Sequence, residues 1–211
     1  MTTRNRRLLP QSLQNAFLNL LAPLIRVLAK WGVNPNRFTL AGFIISSMAA
    51  AALIMGHPRV GGVLILLGGL CDSIDGSLAR STGSASRFGA LFDSAIDRYS
   101  EFVMFLGIVT YFAIMKDYAA CAVAFVALCG SIMVSYTRAR AESLGFESKA
   151  GLMQRPERIV FLGFGALVHP LVFKLSVWFV AICANYTALQ RIRHACKQDS
   201  ADNDPKPIND A

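Results

Sequence analysis

Six runs almost free of charge, at residues 40–56, 60–71, 102–115, 118–134, 159–173 and 175–189, set the limits on what this chain can fold into. Spanning a bilayer takes about 20 mostly apolar residues. With their flanks, the runs reach that length. Of the 211 residues, 54% are hydrophobic and only 16% charged, against about 25% charged in an average soluble domain. The pattern argues against a soluble globular domain, a disordered chain and a disulfide scaffold. It predicts an all-α membrane protein with six transmembrane helices, over about 38–56, 60–80, 88–115, 118–142, 156–169 and 172–193.

Ahead of the first span, Leu13, Phe17, Leu20, Leu21, Leu24, Ile25 and Leu28 recur at three- and four-residue spacing. Gln14, Asn15, Arg26 and Lys30 populate the other side, and Pro23 introduces a bend. That periodicity predicts an amphipathic helix lying on the membrane surface over 9–32. A basic segment precedes it at 1–8, the six-span domain occupies 33–195, and a polar, disordered tail is expected at 196–211. Gln11, Gln14, Asn15 and Asn19 interrupt the stretch behind Arg4, Arg6 and Arg7, so no cleaved signal peptide is expected.

The net charge of +8 could suggest nucleic acid, but its distribution points elsewhere. If the runs are spans, 18 of the 21 Lys and Arg residues fall on one side, and only Arg59, Lys116 and Lys174 on the other. Such asymmetry is the positive-inside signal, which places both termini in the cytoplasm and the chain in the cell membrane. The excess charge then serves topology and contact with anionic lipid. No nucleic-acid partner is expected, because no aromatic residues are interleaved with the basic patch. The five cysteines form no CxxC pair and read as small packing residues.

Ionisable residues inside spans are costly, and therefore candidates for function. Asp72 and Asp75 are three residues apart at the end of the second span; Asp93 and Asp97 are four apart at the start of the third. Each pair lines one helix face, and two spans joined by a short loop run antiparallel, so the faces can converge. Four anions in a low-dielectric site repel unless cations neutralise them. Arg80, Arg87 and Arg98 could supply part of that charge, in an Asp–Arg network that ties helices together. Divalent metal is the better reading: all-oxygen ligands without His or Cys suit Mg²⁺ or Mn²⁺, and two ions suit displacement at phosphorus.

The full pattern is Asp72-x-x-Asp75-Gly76-x-x-Ala79-Arg80, eight residues, then Gly89-x-x-x-Asp93-x-x-x-Asp97. It resembles the signature of the CDP-alcohol phosphotransferases, with every fixed position present. The resemblance implies an integral membrane enzyme that moves a phosphatidyl group from CDP-diacylglycerol to an alcohol and releases CMP. It implies that Asp72, Asp75 and Asp93 bind the metals that grip the donor pyrophosphate. Asp97 would complete the metal site and act as general base on the acceptor hydroxyl. Gly76 and Ala79 would let the nucleotide approach the helix, with Arg80 beside them; close helix packing is the other use for such residues. Pro35-Asn36-Arg37-Phe38-Thr39 is similar to a family stretch that contacts the cytidine, and equally reads as a helix start, so Pro35, Asn36 and Thr39 join the donor-site candidates. A homodimer is implied by the family as well. Ser46, Ser47 and the alanines at 49–52 permit close helix contact, either between subunits or within one.

For the acceptor, Arg138 and Arg140, Arg155 and Arg158, and Arg191 gather on the side of the acidic site. They serve either as positive-inside anchors or as a pocket for an acceptor phosphate. The stretches Ser135-Tyr136-Thr137-Arg138-Ala139-Arg140-Ala141-Glu142 and Arg155-Pro156-Glu157-Arg158 resemble the bacterial phosphatidylinositol-phosphate synthase branch, and Asp97-Arg98-Tyr99-Ser100-Glu101 is similar to inositol-phosphate-using relatives. By that analogy Arg138, Arg155 and Arg191 hold the acceptor phosphate, although actinobacterial members tend to carry lysine at the position of Arg138. The expected acceptor is a soluble inositol phosphate, with glycerol phosphate or another polar alcohol as the alternative. A divalent-metal transporter is the competing class, but its carboxylates belong near mid-membrane, not at one end. A purely structural membrane protein would not need Gly76, Ala79 and Gly89 at their positions.

Overall fold

The computed structural model describes residues 8, 10–83, 86–147 and 151–202. The described part is helical: α1 (Gln11–Lys30), α2 (Asn36–Ile54), α3 (Pro58–Thr82), α4 (Arg87–Ile114), α5 (Tyr118–Ser143), α6 (Arg155–Val168) and α7 (Pro170–Asp202). Helices α2, α3, α5 and the 170–200 stretch of α7 are long and apolar enough to cross a membrane. Two of the expected spans fall outside that set for physical reasons. Helix α6 has 14 residues, about 21 Å at the α-helical rise and shorter than a hydrocarbon core. Helix α4 has the length, at 28 residues, but carries Asp93, Asp97, Arg98 and Glu101 within its first fifteen.

Helix packing closes a ring in the order α2, α3, α6, α7, α5, α4 and back to α2, with α1 laid against α3. Small residues set the spacing. A Cβ built on Gly107 of α4 would lie 2.5 Å from the Cα of Ala50 in α2, and one on Gly62 of α3 would lie 2.6 Å from the carbonyl of Gly163 in α6. Ala49, Ala50 and Ala52 are buried, and Ser46 faces Gly68 of α3, so this part of the small-residue stretch packs inside one chain. The apolar core is closed away from the aspartates by Tyr111, Phe112 and Phe173, whose ring centroids lie 5.2–5.7 Å apart. Nearby, Asp117 caps α5 by accepting from the Ala120 N–H at 3.1 Å, and Lys174 donates to its other oxygen at 2.6 Å.

The tail departs from expectation. Residues 196–202 continue α7, because Gln198 accepts from the Glu147 N–H and donates to the Glu147 carbonyl, both at 2.8 Å. That clasp gives the polar helix end a partner on the loop after α5. The basic segment at 1–7 and the tail from 203 lie outside the described residues.

Candidate active site

The acidic residues are placed by two helices and the turn between them. Asp72 and Asp75 sit in the second half of α3, which Gly83 ends in the left-handed region at φ 65°, where a side chain would be strained. Ser86 then caps α4, accepting from the Gly89 N–H at 2.9 Å, and sets Asp93 and Asp97 on the first turns. Helix α2 packs on both α3 and α4 and brings its own start to the same end. That start is an Asx turn, in which the Asn34 side chain accepts from the Asn36 N–H at 2.9 Å.

Between these elements lies a cavity of about 600 Å³, the size of a small-molecule site. All six residues expected to hold the donor line it: Pro35, Asn36 and Thr39 from the start of α2, with Gly76, Ala79 and Arg80 from α3. Asp75 and Asp93 line it as well. Thr39 is buried and donates from Oγ1 to Asp75 Oδ2 at 2.8 Å, so one role of the Pro-Asn-x-x-Thr stretch is to fix a site carboxylate. Gly76 does not serve helix packing. The three atoms nearest a Cβ there all belong to the Arg80 guanidinium, from 3.4 Å outward, and Gly76 lines the cavity.

Asp72 and Asp97 belong to a second cluster, centred on arginine. The first residue of α6, Arg155, pairs with Asp72 at 3.0 Å and contacts Asp97. Arg98 lies 3.4 Å from Asp97 and 3.5 Å from Glu101. Glu101 in turn accepts from Arg158, through Nε at 3.1 Å and through Nη2. Of the three arginines expected to balance the aspartates, Arg98 does so. Arg80 instead donates to the Ser77 hydroxyl at 3.2 Å, and Arg87 forms no ion pair among the described residues. Sequence reasoning missed Glu101 as a site component. Its signal was the four-residue spacing of Asp93, Asp97 and Glu101, which continues one face of α4.

The three arginines assigned to an acceptor phosphate each have a different partner. Arg155 faces the aspartates. Arg138 is exposed near the end of α5 and pairs with Glu142 at 2.8 Å. Arg191 is buried, donates to the Val134 carbonyl and packs beside Gly151.

Four carboxylates with no imidazole or thiolate among them form a donor set suited to a hard divalent ion. Among the described residues, however, no group of three or more His, Cys, Asp or Glu side chains is drawn together as a metal cage. The Arg155 guanidinium stands with Asp72 and Asp97. Its Nε and Nη1 are buried without a well-formed hydrogen bond. The donor chemistry fits a metal, and Arg155 contacts two of the four carboxylates.

Carboxylates beside a nucleotide-sized cavity, at one end of a bundle of long apolar helices, define an enzyme of phosphate esters at a membrane. Comparison narrows the class: the sequence model of the CDP-alcohol phosphatidyltransferases matches residues 32–189, and the chain belongs to that family. It is a transferase of substituted phosphate groups. An archaetidylinositol phosphate synthase from Pyrococcus horikoshii is 37% identical over 180 residues, covering 83% of this chain and 92% of the relative. A phosphatidylinositol phosphate synthase from Mycobacteroides abscessus is 31% identical over 207 residues, covering 94% and 93%. The Mycobacterium tuberculosis phosphatidylinositol phosphate synthase, solved with CDP-DAG bound, superposes with a TM-score of 0.75 at 30% identity, over 84% of this chain and 94% of that one. The same enzyme has been solved in complex with manganese and citrate.

Proposed function

We propose that this chain transfers the phosphatidyl group of CDP-diacylglycerol to a soluble inositol phosphate and releases CMP. The observation that carries the reading is the cavity, where Pro35, Asn36, Thr39, Gly76, Ala79 and Arg80 share one space with Asp75 and Asp93. Support for the donor comes from the nucleotide lipid named in the tuberculosis structure, and support for the acceptor from the inositol phosphate products in the relatives' names.

Asp72, Asp75, Asp93 and Asp97 would hold the metal, read here as two Mg²⁺ or Mn²⁺ ions, in keeping with the manganese of the tuberculosis enzyme. Bound there, the ions would neutralise the pyrophosphate charge. Thr39 orients Asp75, and the bare face at Gly76 and Ala79 lets the nucleotide lie against α3. Asp97 takes the proton of the acceptor hydroxyl as that oxygen bonds to the phosphatidyl phosphorus. The pyrophosphate bridge breaks, and CMP leaves with the electron pair. A positioned base of this kind contributes about 10²–10⁴-fold. Arg138, Arg155 and Arg191 hold the acceptor phosphate, which requires Arg138 and Arg155 to leave their present partners.

The same reading makes α4 and α6 spans, six in all, with both termini and the site on the cytoplasmic side of the cell membrane. Helix α1 lies along the surface, its exposed Leu13, Phe17, Leu20 and Leu24 turned to lipid. The working unit is a homodimer.

The test is CMP release by purified protein given CDP-diacylglycerol and Mg²⁺ or Mn²⁺, with inositol phosphate, inositol, glycerol phosphate and serine in parallel. Release that needs inositol phosphate and stops with chelator supports the reading. Release with glycerol phosphate keeps the donor site and discards the acceptor. Asp97→Asn should lower turnover about 10²–10⁴-fold with an unchanged melting temperature; unaltered turnover would remove its role as base.

A further inference from the structure

Arg155 is assigned above to the acceptor, yet its guanidinium joins two aspartates assigned to the metal. Its backbone has little freedom. Just before it, the Leu152 N–H donates to the Gln190 side chain at 3.3 Å and the Met153 N–H to Thr187 Oγ1 at 3.0 Å, both on α7. The Gln154 N–H donates to Glu157 Oε2 at 3.0 Å, part of a capping box that starts α6. The Cα of Arg155 is therefore fixed, and the long side chain is the part that can move. One end of its range is the structure's own: 3.0 Å from Asp72 and in contact with Asp97.

A guanidinium and a divalent cation cannot share these carboxylates without strong like-charge repulsion in a poorly solvated site. We infer that Arg155 and the divalent cation compete for Asp72 and Asp97, so that Arg155 is released to the acceptor phosphate only once the metal-bound donor site has formed. The acceptor then binds after the metal, because one of its ligands is withheld until the metal has taken the carboxylates. No acceptor hydroxyl is offered to an unloaded site, and the order of binding follows from one shared side chain. The inference rests on the acceptor role proposed for Arg155, and two separate readouts tell the failures apart.

The first readout is Mn²⁺ affinity of the full chain in detergent, by electron paramagnetic resonance of free Mn²⁺. Arg155→Gln should bind Mn²⁺ about tenfold more tightly than the unaltered chain, a coupling of ordinary size. Arg155→Lys, which keeps the charge but cannot bridge two carboxylates as a planar fork does, should fall between them. Unchanged or weaker Mn²⁺ binding in Arg155→Gln, with its melting temperature retained, overturns the competition.

The second readout is binding of radiolabelled inositol phosphate without donor. The unaltered chain should bind it only when Mn²⁺ is present, whereas a chain with both Asp72→Asn and Asp97→Asn should bind it without metal. Tighter Mn²⁺ binding in Arg155→Gln together with undiminished inositol phosphate binding removes Arg155 from the acceptor site. That result overturns the sharing, and the acceptor role with it, and leaves Arg155 a counter-charge alone.

Discussion

Arg158 and Glu101 are 1% and 2% exposed, and Glu101 answers the Arg158 charge inside the bundle, with Arg98 at 3.5 Å as its second, more distant partner. Removing one partner of a buried pair leaves a bare charge, which costs about 3–5 kcal/mol. Arg158→Met should therefore lower the melting temperature in detergent sharply, and adding Glu101→Gln should restore most of the loss. No recovery in the double variant would show that packing, not charge, is what Arg158 supplies. At the other end of the molecule, hydrogen bonds from Lys174 and from the Ala120 N–H hold the Asp117 carboxyl below the usual carboxylate range. A lowered native value means the contribution is complete above the ordinary carboxylate pKa and lost as pH falls through the native one. The stability advantage over Asp117→Asn should thus be full at neutral pH and fade in acid. An advantage independent of pH would contradict the pairing.

Two glycines on neighbouring elements make opposite predictions about substitution. Gly107 is pressed against the backbone of Ala50, whereas Gly76 faces the cavity. Gly107→Val should lose stability, because the α2–α4 contact cannot open without moving both helices. Gly76→Val should keep the melting temperature and raise the KM for CDP-diacylglycerol several-fold. If Gly76→Val melts with Gly107→Val, the donor face is a packing face after all. The acidic pattern that flags Gly76 is local, so its resemblance to the family signature could point to that residue, and five helices begin and end within about two residues of the spans expected from the apolar runs. What spacing could not reveal is non-local. The last turns of α7 depend on Gln198 reaching a backbone 51 residues away, and no capping signal marks them in the sequence. Arg155 likewise reads as an acceptor ligand or a membrane anchor, and its contact with Asp72 and Asp97 shows only once α6 carries it to α3 and α4.

At the scale of the whole molecule, the ring leaves α1 packed on α3 alone among the larger contacts. Leu20 is 76% exposed and Leu13, Phe17 and Leu24 are also exposed, an apolar stripe left open among the described residues. Replacing those four with serine should weaken activity on donor embedded in vesicles more than on short-chain donor dispersed in detergent. Equal losses would mean that α1 supports the cavity wall, not the membrane contact.

The side chains that line the donor cavity all come from residues 29–93, whereas the arginines read as acceptor ligands stand at 138, 155 and 191. The chain passes from one group to the other through Met115, Lys116 and Asp117, a tight connection remote from both. A genetic crossover at that connection would join one parent's donor machinery to another's choice of alcohol. Diversification within such a lineage could then proceed by exchanging halves, with the phosphoryl chemistry inherited intact.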